Sequence, residues 1–216
     1  MAEAWRLDNS GKFPASDAEA PGRDLRQAPR YTLLMRAAKL VSRDGEFLCI
    51  VRDASESGVN IRLFHALPQN EYLQLEFPNG DRHRLELVWQ QDDRAGLKFV
   101  EGADIGRLLE GPSRYTKRPI RVNLDMRVKL SAGGLVADGR LIDLSQQGAK
   151  VLCGERFAID QRVKLAGPSA AMGLPEVNAK VRWRRENAYG LVFEDTFQFG
   201  DLAHIVAKIQ QPDLFR

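Results

Sequence analysis

The feature that most constrains this chain is a six-residue pattern that occurs twice. Asp53-Ala-Ser55-Glu-Ser-Gly58 returns as Asp143-Leu-Ser145-Gln-Gln-Gly148, with the same Asp-x-Ser-x-x-Gly spacing. Each copy follows an Arg-x-x-x-Arg pair: Arg26 and Arg30 before the first, Arg114 and Arg118 before the second. At ordinary usage of roughly 6–7% per residue type, such a pattern arises by chance about once in a few thousand positions. Two copies, each with arginines a similar distance upstream, indicate a duplicated unit.

The duplication extends beyond the motif. Trp89 precedes Gly96-Leu-Lys-Phe99, and Trp183 precedes Gly190-Leu-Val-Phe193, at the same interval. Gly58 and Gly148 are 90 positions apart, whereas Trp89 and Trp183 are 94 apart, so the second copy carries a four-residue insertion, placed at Gly167–Pro175. Each unit is long enough to build its own core, unlike the shorter repeats of a solenoid. The tryptophans recur at a fixed place on an apolar run, which favours core packing over a stacking role.

Within each unit the signals alternate between strands and turns. Thr32–Ser42 reads as a strand, and Glu46–Asp53 follows an Asp44-Gly45 turn. Val59–Leu63 follows Gly58, and Leu73, Leu75 and Phe77 alternate with polar neighbours over Tyr72–Phe77. Asn79-Gly80 is a two-residue hairpin signal, leading to a run with Leu85, Leu87 and Trp89 on one face. Short strands, polar turns and little helix predict a mainly β fold of two tandem small antiparallel β-barrels. The predicted domains are a disordered tail over 1–24, a first domain over 25–108, a linker at 109–113 and a second domain over 114–211. Asp104–Leu109 has room for little more than one helical turn. Phe199–Gln210 is long enough for a C-terminal helix, with Leu202, Ile205, Val206 and Ile209 on one face and Pro212 to stop it. A lid over the second barrel is favoured for that helix over a partner-docking role.

The net charge of +3 is too mild to demand a polyanion partner. Cys49 and Cys153 fit neither a metal spacing nor a disulfide framework and read as small buried hydrophobes. The N-terminus shows no signal-peptide pattern, and no stretch approaches the ~20 apolar residues of a membrane span. A soluble, cytoplasmic protein is therefore expected. His65, His83 and His204 are scattered, no phosphate-binding glycine loop is present, and Asp92-Asp93 reads as a hairpin turn, so a non-enzyme without metal or cofactor is expected.

The doubled motif suits anion and base recognition. Arginine forks bidentately onto phosphate oxygens or guanine O6 and N7, and it stacks on bases. Asp accepts hydrogen bonds from a guanine N1–H and amino group, Ser adds a hydroxyl, and glycine gives either a positive φ or close approach of a ligand. The bland reading of one copy is an Asx-type turn bonding its own backbone. Residues 114–129 are the more basic stretch, with Arg114, Lys117, Arg118, Arg121, Arg127 and Lys129 against Asp125 alone.

On these residues the chain resembles the PilZ domains, receptors for the bacterial second messenger cyclic di-GMP, in two tandem copies. The resemblance implies a ligand site of Arg26, Arg30, Asp53, Ser55 and Gly58, and a second of Arg114, Arg118, Asp143, Ser145 and Gly148. It also implies a non-enzymatic cyclic di-GMP receptor that changes its interdomain arrangement and signals to a protein partner. Two alternatives stand beside it. One is a PilZ-like docking scaffold that has lost its ligand. The other is a basic barrel for single-stranded nucleic acid, for which Tyr31, Tyr115 and Trp183 beside Arg182, Arg184 and Arg185 are the candidate contacts.

Overall fold

Apolar and polar residues alternate along most of this chain, and short turns separate the runs, so strands form wherever one face can be buried. The computed structural model describes residues 31–67, 72–104, 106, 108, 119–169 and 173–212, with side chains from Met35 onward. The tail read over 1–24, the linker at 109–113 and Arg26, Arg30, Arg114 and Arg118 lie outside the described residues. The first unit contains β1 (Tyr31–Ser42), β2 (Gly45–Ser55), β3 (Gly58–Arg62), β4 (Leu73–Glu76), β5 (Arg82–Gln91) and β6 (Arg94–Phe99). The second contains β7 (Val122–Ala132), β8 (Leu135–Ser145), β9 (Gly148–Cys153), β10 (Arg162–Ala166), β11 (Val177–Arg185) and β12 (Ala188–Phe193), followed by helix α1 (Phe199–Gln210).

Each set of six strands closes into an antiparallel barrel in the same order. The first runs β1-β2-β3-β6-β5-β4 and the second β7-β8-β9-β12-β11-β10, with the last strand back on the first. The expected mainly β architecture of two tandem barrels and a C-terminal helix is the one the chain adopts. Inward residues such as Leu40, Phe47 and Leu75 fill the first barrel, and Leu130, Val151 and Leu165 fill the second. Strand pairing locates the insertion. Leu73 pairs with Leu85 and Val163 with Ala179, so the copies stay 90 apart through β10 and are 94 apart from β11. The extra residues therefore lie between Ala166 and Val177.

Two local expectations change. Asn79-Gly80 does sit in a hairpin, but the ladder ends at Glu76 and Arg82, leaving a loop longer than two residues. Asn79 Oδ1 accepts from the Asp81 N–H at 3.0 Å, an Asx turn that sets this loop. On β5, Leu85 is buried, but Leu87 and Trp89 are 45% and 39% exposed, so the single apolar face is not formed. A β-bulge between Leu87 and Trp89 adds a residue on β5 and interrupts the alternation there. The equivalent bulge between Val181 and Trp183 leaves Trp183 37% exposed. Neither tryptophan is a core residue.

The helix has the predicted bounds, but it does more than cover the second barrel. Leu202, Ala203 and Val206 join the core of the second barrel, while Ala207 joins that of the first. Phe64, just past β3, meets Phe199 and His204 edge-on at ring centroid distances of 5.8 and 5.9 Å. Gln210 Oε1 accepts from the Glu46 N–H at 2.9 Å, and its Nε2 donates to the Glu46 carbonyl. Gly45 has φ +139°, and a Cβ there would come 2.1 Å from Gln210 Oε1 and push that side chain off its hydrogen bonds. Ile205 and Ile209 are only partly buried, because the helix turns its small residues toward the first barrel.

A charged cluster completes this junction. Lys39 is nearly buried and bridges Glu46 at 3.1 Å and Glu76 at 3.3 Å. Glu46 also accepts from the Asn123 N–H at 2.7 Å and its Nδ2 at 2.8 Å, and Lys39 Nζ donates to the Arg121 carbonyl at 3.4 Å. The start of β7 is thereby tied to β1 and β2.

Both cysteines are buried and free, as read from the sequence. Burial pushes the Cys49 thiol up to about 12, so it stays protonated and behaves as a small hydrophobe. No described helix is long and apolar enough to cross a membrane.

His65 lies 4.6 Å from the Phe47 ring, and its Nδ1 bonds the Ala66 carbonyl at 2.6 Å. Burial holds its imidazole below the ordinary value, with His204 pushing the same way against the Ala66 carbonyl. The folded chain therefore binds fewer protons than the unfolded chain below about pH 6.5, and stability falls as the pH drops through that range toward the folded value. Thermal melts from about pH 7 to about pH 5 should show this loss in the native chain and a smaller one in His65→Phe.

Candidate functional site

Each Asp-x-Ser-x-x-Gly motif is a tight hairpin. Ser55 pairs with Gly58 and Ser145 with Gly148, leaving two residues in each turn. The serines brace these turns: Ser55 Oγ donates to the Gly58 carbonyl at 3.4 Å, and Ser145 Oγ to the Gly148 carbonyl at 3.0 Å. Both are buried, Ser145 completely. This much of the bland Asx-type reading holds for the serines, which face the fold and not solvent.

The glycines have a different reason from either one expected. Neither has a positive φ. A Cβ on Gly58 would meet the Leu97 carbonyl oxygen at 2.7 Å, and one on Gly148 would meet that of Leu191 at 2.1 Å. These glycines let β3 and β9 approach β6 and β12 closely enough to close the barrels. Gly148→Ala should destabilise the second barrel by about 3 kcal/mol, the upper end of overpacking costs, because the clash is with backbone that cannot swing away. Urea denaturation of the two chains measures it.

The aspartates sit at bulges, where register shifts between Val51 and Asp53 and between Leu141 and Asp143. Such a shift turns a side chain out of the regular alternation. Asp143, 15% exposed, takes the Arg121 guanidinium in a 2.6 Å ion pair. Arg121 was visible in the sequence only as one of several basic residues. Strand register gives it a specific place. Thr32 pairs with Asp53 and Asn123 with Asp143, so Thr32 and Asn123 are equivalent, with Arg30 and Arg121 each two positions before. The bulge in β1, where Met35 has φ 41°, holds one residue more than that in β7. Lys117-x-x-x-Arg121 is thus a second basic pair beside Arg114-x-x-x-Arg118.

Pairing then extends each aspartate into a row across four strands. Asp53 stands opposite Asn60, Asn60 opposite Gly96, and Gly96 opposite Trp89. In the second barrel the row is Asp143, Lys150, Gly190 and Trp183. Asn60 and Lys150 alternate with buried neighbours and so lie on the outer face. Each indole lies over its glycine: a Cβ on Gly96 or Gly190 would come 2.0 Å from the Trp89 or Trp183 Nε1. The paired Trp and Gly spacing was legible in the sequence, but not that it ends a row beginning at the aspartate.

The row offers a carboxylate, a hydrogen-bonding side chain, a bare stretch of backbone and a half-exposed aromatic face. Among the described residues no group of His, Cys, Asp and Glu could hold a metal ion. Among the described residues one half-exposed tryptophan stands in each row; of the other candidate contacts for single-stranded nucleic acid, Tyr115 and the Tyr31 side chain lie outside the described residues.

No curated protein matches the chain in sequence. Among solved structures, it is similar to the PlzA protein of Borreliella burgdorferi in complex with c-di-GMP, at 12% identity and a TM-score of 0.35 over 81% of this chain and 88% of that one. It is similar to the Bacillus subtilis inhibitor of motility MotI at 11% identity and TM-score 0.34, covering 84% of this chain and 98% of that one. YcgR of Escherichia coli in complex with c-di-GMP follows at 13% identity and TM-score 0.28, covering 84% and 83%. The family described as "PilZ domain" matches residues 24–111 and again 112–211. With nearly all of its length in those two matches, the chain belongs to the PilZ domain family.

Proposed function

We propose that this chain is a non-enzymatic receptor for cyclic di-GMP, with one site on each barrel, that passes the signal to a protein partner. The units are 25–108 and 114–211, joined by 109–113. The observation that carries the reading is the repeated row from aspartate to tryptophan beside each Asp-x-Ser-x-x-Gly hairpin. At a strand spacing of roughly 4.8 Å the row spans about 14 Å, enough for a guanine and its attached sugar-phosphate. The aspartate suits the guanine N1–H and amino group, and the indole face suits stacking. Arg26 and Arg30 in the first site, and Arg114 and Arg118 in the second, supply charge for guanine O6 and N7 and for the phosphates. Arg121 joins the second set, since its guanidinium already reaches Asp143. The serines and glycines hold the hairpin that presents the aspartate. Cytoplasmic location follows from such a ligand.

Cyclic di-GMP at ~100 times its dissociation constant should raise stability by about 2.7 kcal/mol for one site, read as a thermal shift. Arg118→Ala or Arg121→Ala should each weaken the second site by about one to two powers of ten, the worth of a charge-assisted hydrogen bond, and leave the first nearly unchanged in a calorimetric titration. A flat response of the native chain to cyclic di-GMP would overturn the reading. Equal responses to GTP or GMP would replace it with generic anion binding.

Signalling through the barrel arrangement is supported by the short segment at the start of β7. Arg121 reaches Asp143 with its side chain while its carbonyl accepts from Lys39, and Asn123 holds Glu46. A ligand that draws Arg121 off Asp143 would act on the peptide units that tie the barrels together. It shifts their arrangement only by its differential affinity for the two states. Small-angle scattering should therefore change at saturating ligand, and the change should be lost in Arg121→Ala. An unchanged profile would mean that the partner reads the ligand-covered surface itself.

A further inference from the structure

We propose that the two sites are unequal: the second, made basic by Lys150, Arg182 and Arg184, is the tight, salt-sensitive one that fills first. This rests on reading both barrels as cyclic di-GMP sites, and it names how they divide the work. Lys150 takes the place of Asn60 in the row, between the aspartate and the glycine under the tryptophan. Lys180 takes the place of Glu86 on the tryptophan's own strand, opposite Val192 as Glu86 is opposite Lys98. Trp183 is flanked by the exposed Arg182 and Arg184, whereas Trp89 is flanked by Val88 and Gln90.

The first barrel does carry cations on this face, but carboxylates accompany them. Lys98 stands directly opposite Glu86, and Arg62 and Arg94 both bridge Asp93, at 2.7 and 3.9 Å. In the second barrel the equivalents of these five are Val192, Lys180, Leu152, Ala188 and Asn187, so three cations and two carboxylates give way to one lysine without a carboxylate beside it. The net charge of these positions is the same in both barrels, and the excess of the second site comes from Lys150, Arg182 and Arg184. Each row holds one carboxylate, Asp53 or Asp143, so the rows do not differ there; Asp143 is paired with Arg121. By sequence each site has the same number of arginines in its upstream Arg-x-x-x-Arg pair, so that pair does not distinguish them.

Chemistry separates the two row positions further. A lysine ammonium only donates, so Lys150 favours phosphate oxygens or guanine O6 and N7. Asn60 both donates and accepts, and its Oδ1 is buried without a hydrogen-bond partner. The first site is therefore built to read N–H groups of a base, and the second to gather anionic charge. Lys150 and Lys180 are only partly buried, and an ammonium in contact with solvent that acts over several ångströms is screened by salt, so only the second site should weaken steeply as salt rises.

Calorimetric titration of the full chain with cyclic di-GMP tests this, at about 0.05 M and about 0.5 M salt. Asp53→Ala isolates the second site, and Asp143→Ala the first. The second site should bind at least about tenfold tighter at low salt and lose most of that advantage at high salt. In the Asp53→Ala chain, Lys150→Asn should weaken binding by about tenfold. In the Asp143→Ala chain, Asn60→Lys should tighten it and add salt dependence, a gain that misfolding cannot produce. Equal affinities with equal salt response, a tighter first site, or exchanges that change nothing would overturn the inequality while leaving the receptor reading intact. No binding by the native chain at either salt would sink both.

Discussion

The constraint on which the rest of the structure depends is the closure of a six-stranded barrel where β3 meets β6 and β9 meets β12. At that seam the neighbouring carbonyl lies so close that only a glycine fits, at Gly58 and Gly148. The requirement lies in the backbone of the opposite strand, so no side-chain adjustment relieves it. The tight hairpin ending in that glycine buries its serine, and the bulge just before it turns the aspartate outward. The motif is first a solution to barrel closure and, through the bulge, a way of presenting a carboxylate.

Duplication keeps this solution and lets the surfaces diverge. The strand order, bulge positions and indole-over-glycine packing are common to both barrels. What differs lies on the outer face and at the ends, where packing imposes little. A lysine replaces an asparagine, a glutamate gives way to a lysine, and the second barrel gains a longer β10–β11 loop and a terminal helix.

The junction between barrels uses materials of opposite character. Small helical residues and aromatic edges supply apolar packing on one side, while Lys39, Glu46, Glu76 and Asn123 supply a nearly buried polar cluster on the other. Buried charge is costly unless every partner is in place, which makes such a cluster specific in geometry and sensitive to displacement. Its Asn123 lies two residues from the arginine that holds Asp143, and its Lys39 donates to that arginine's carbonyl, which places this geometry-dependent contact beside the second site.

The sequence by itself determined the duplication, the β class, the four-residue insertion, the helix bounds and the motif carrying the aspartates. These are local patterns: alternation, turn residues and spacing are written in consecutive positions, and physics reads them locally. It also pointed to the paired Trp and Gly positions, but assigned the tryptophans to the core because alternation alone cannot reveal a bulge. Tertiary structure decided what depends on which strands become neighbours. Only register puts Trp89 and Trp183 in line with Asp53 and Asp143, shows that Gly58 answers to Leu97, and sets Arg121 on Asp143. Only the packing of two barrels turns Ala207 and Gln210 toward the first, because a helix pattern specifies an apolar stripe and not its partner.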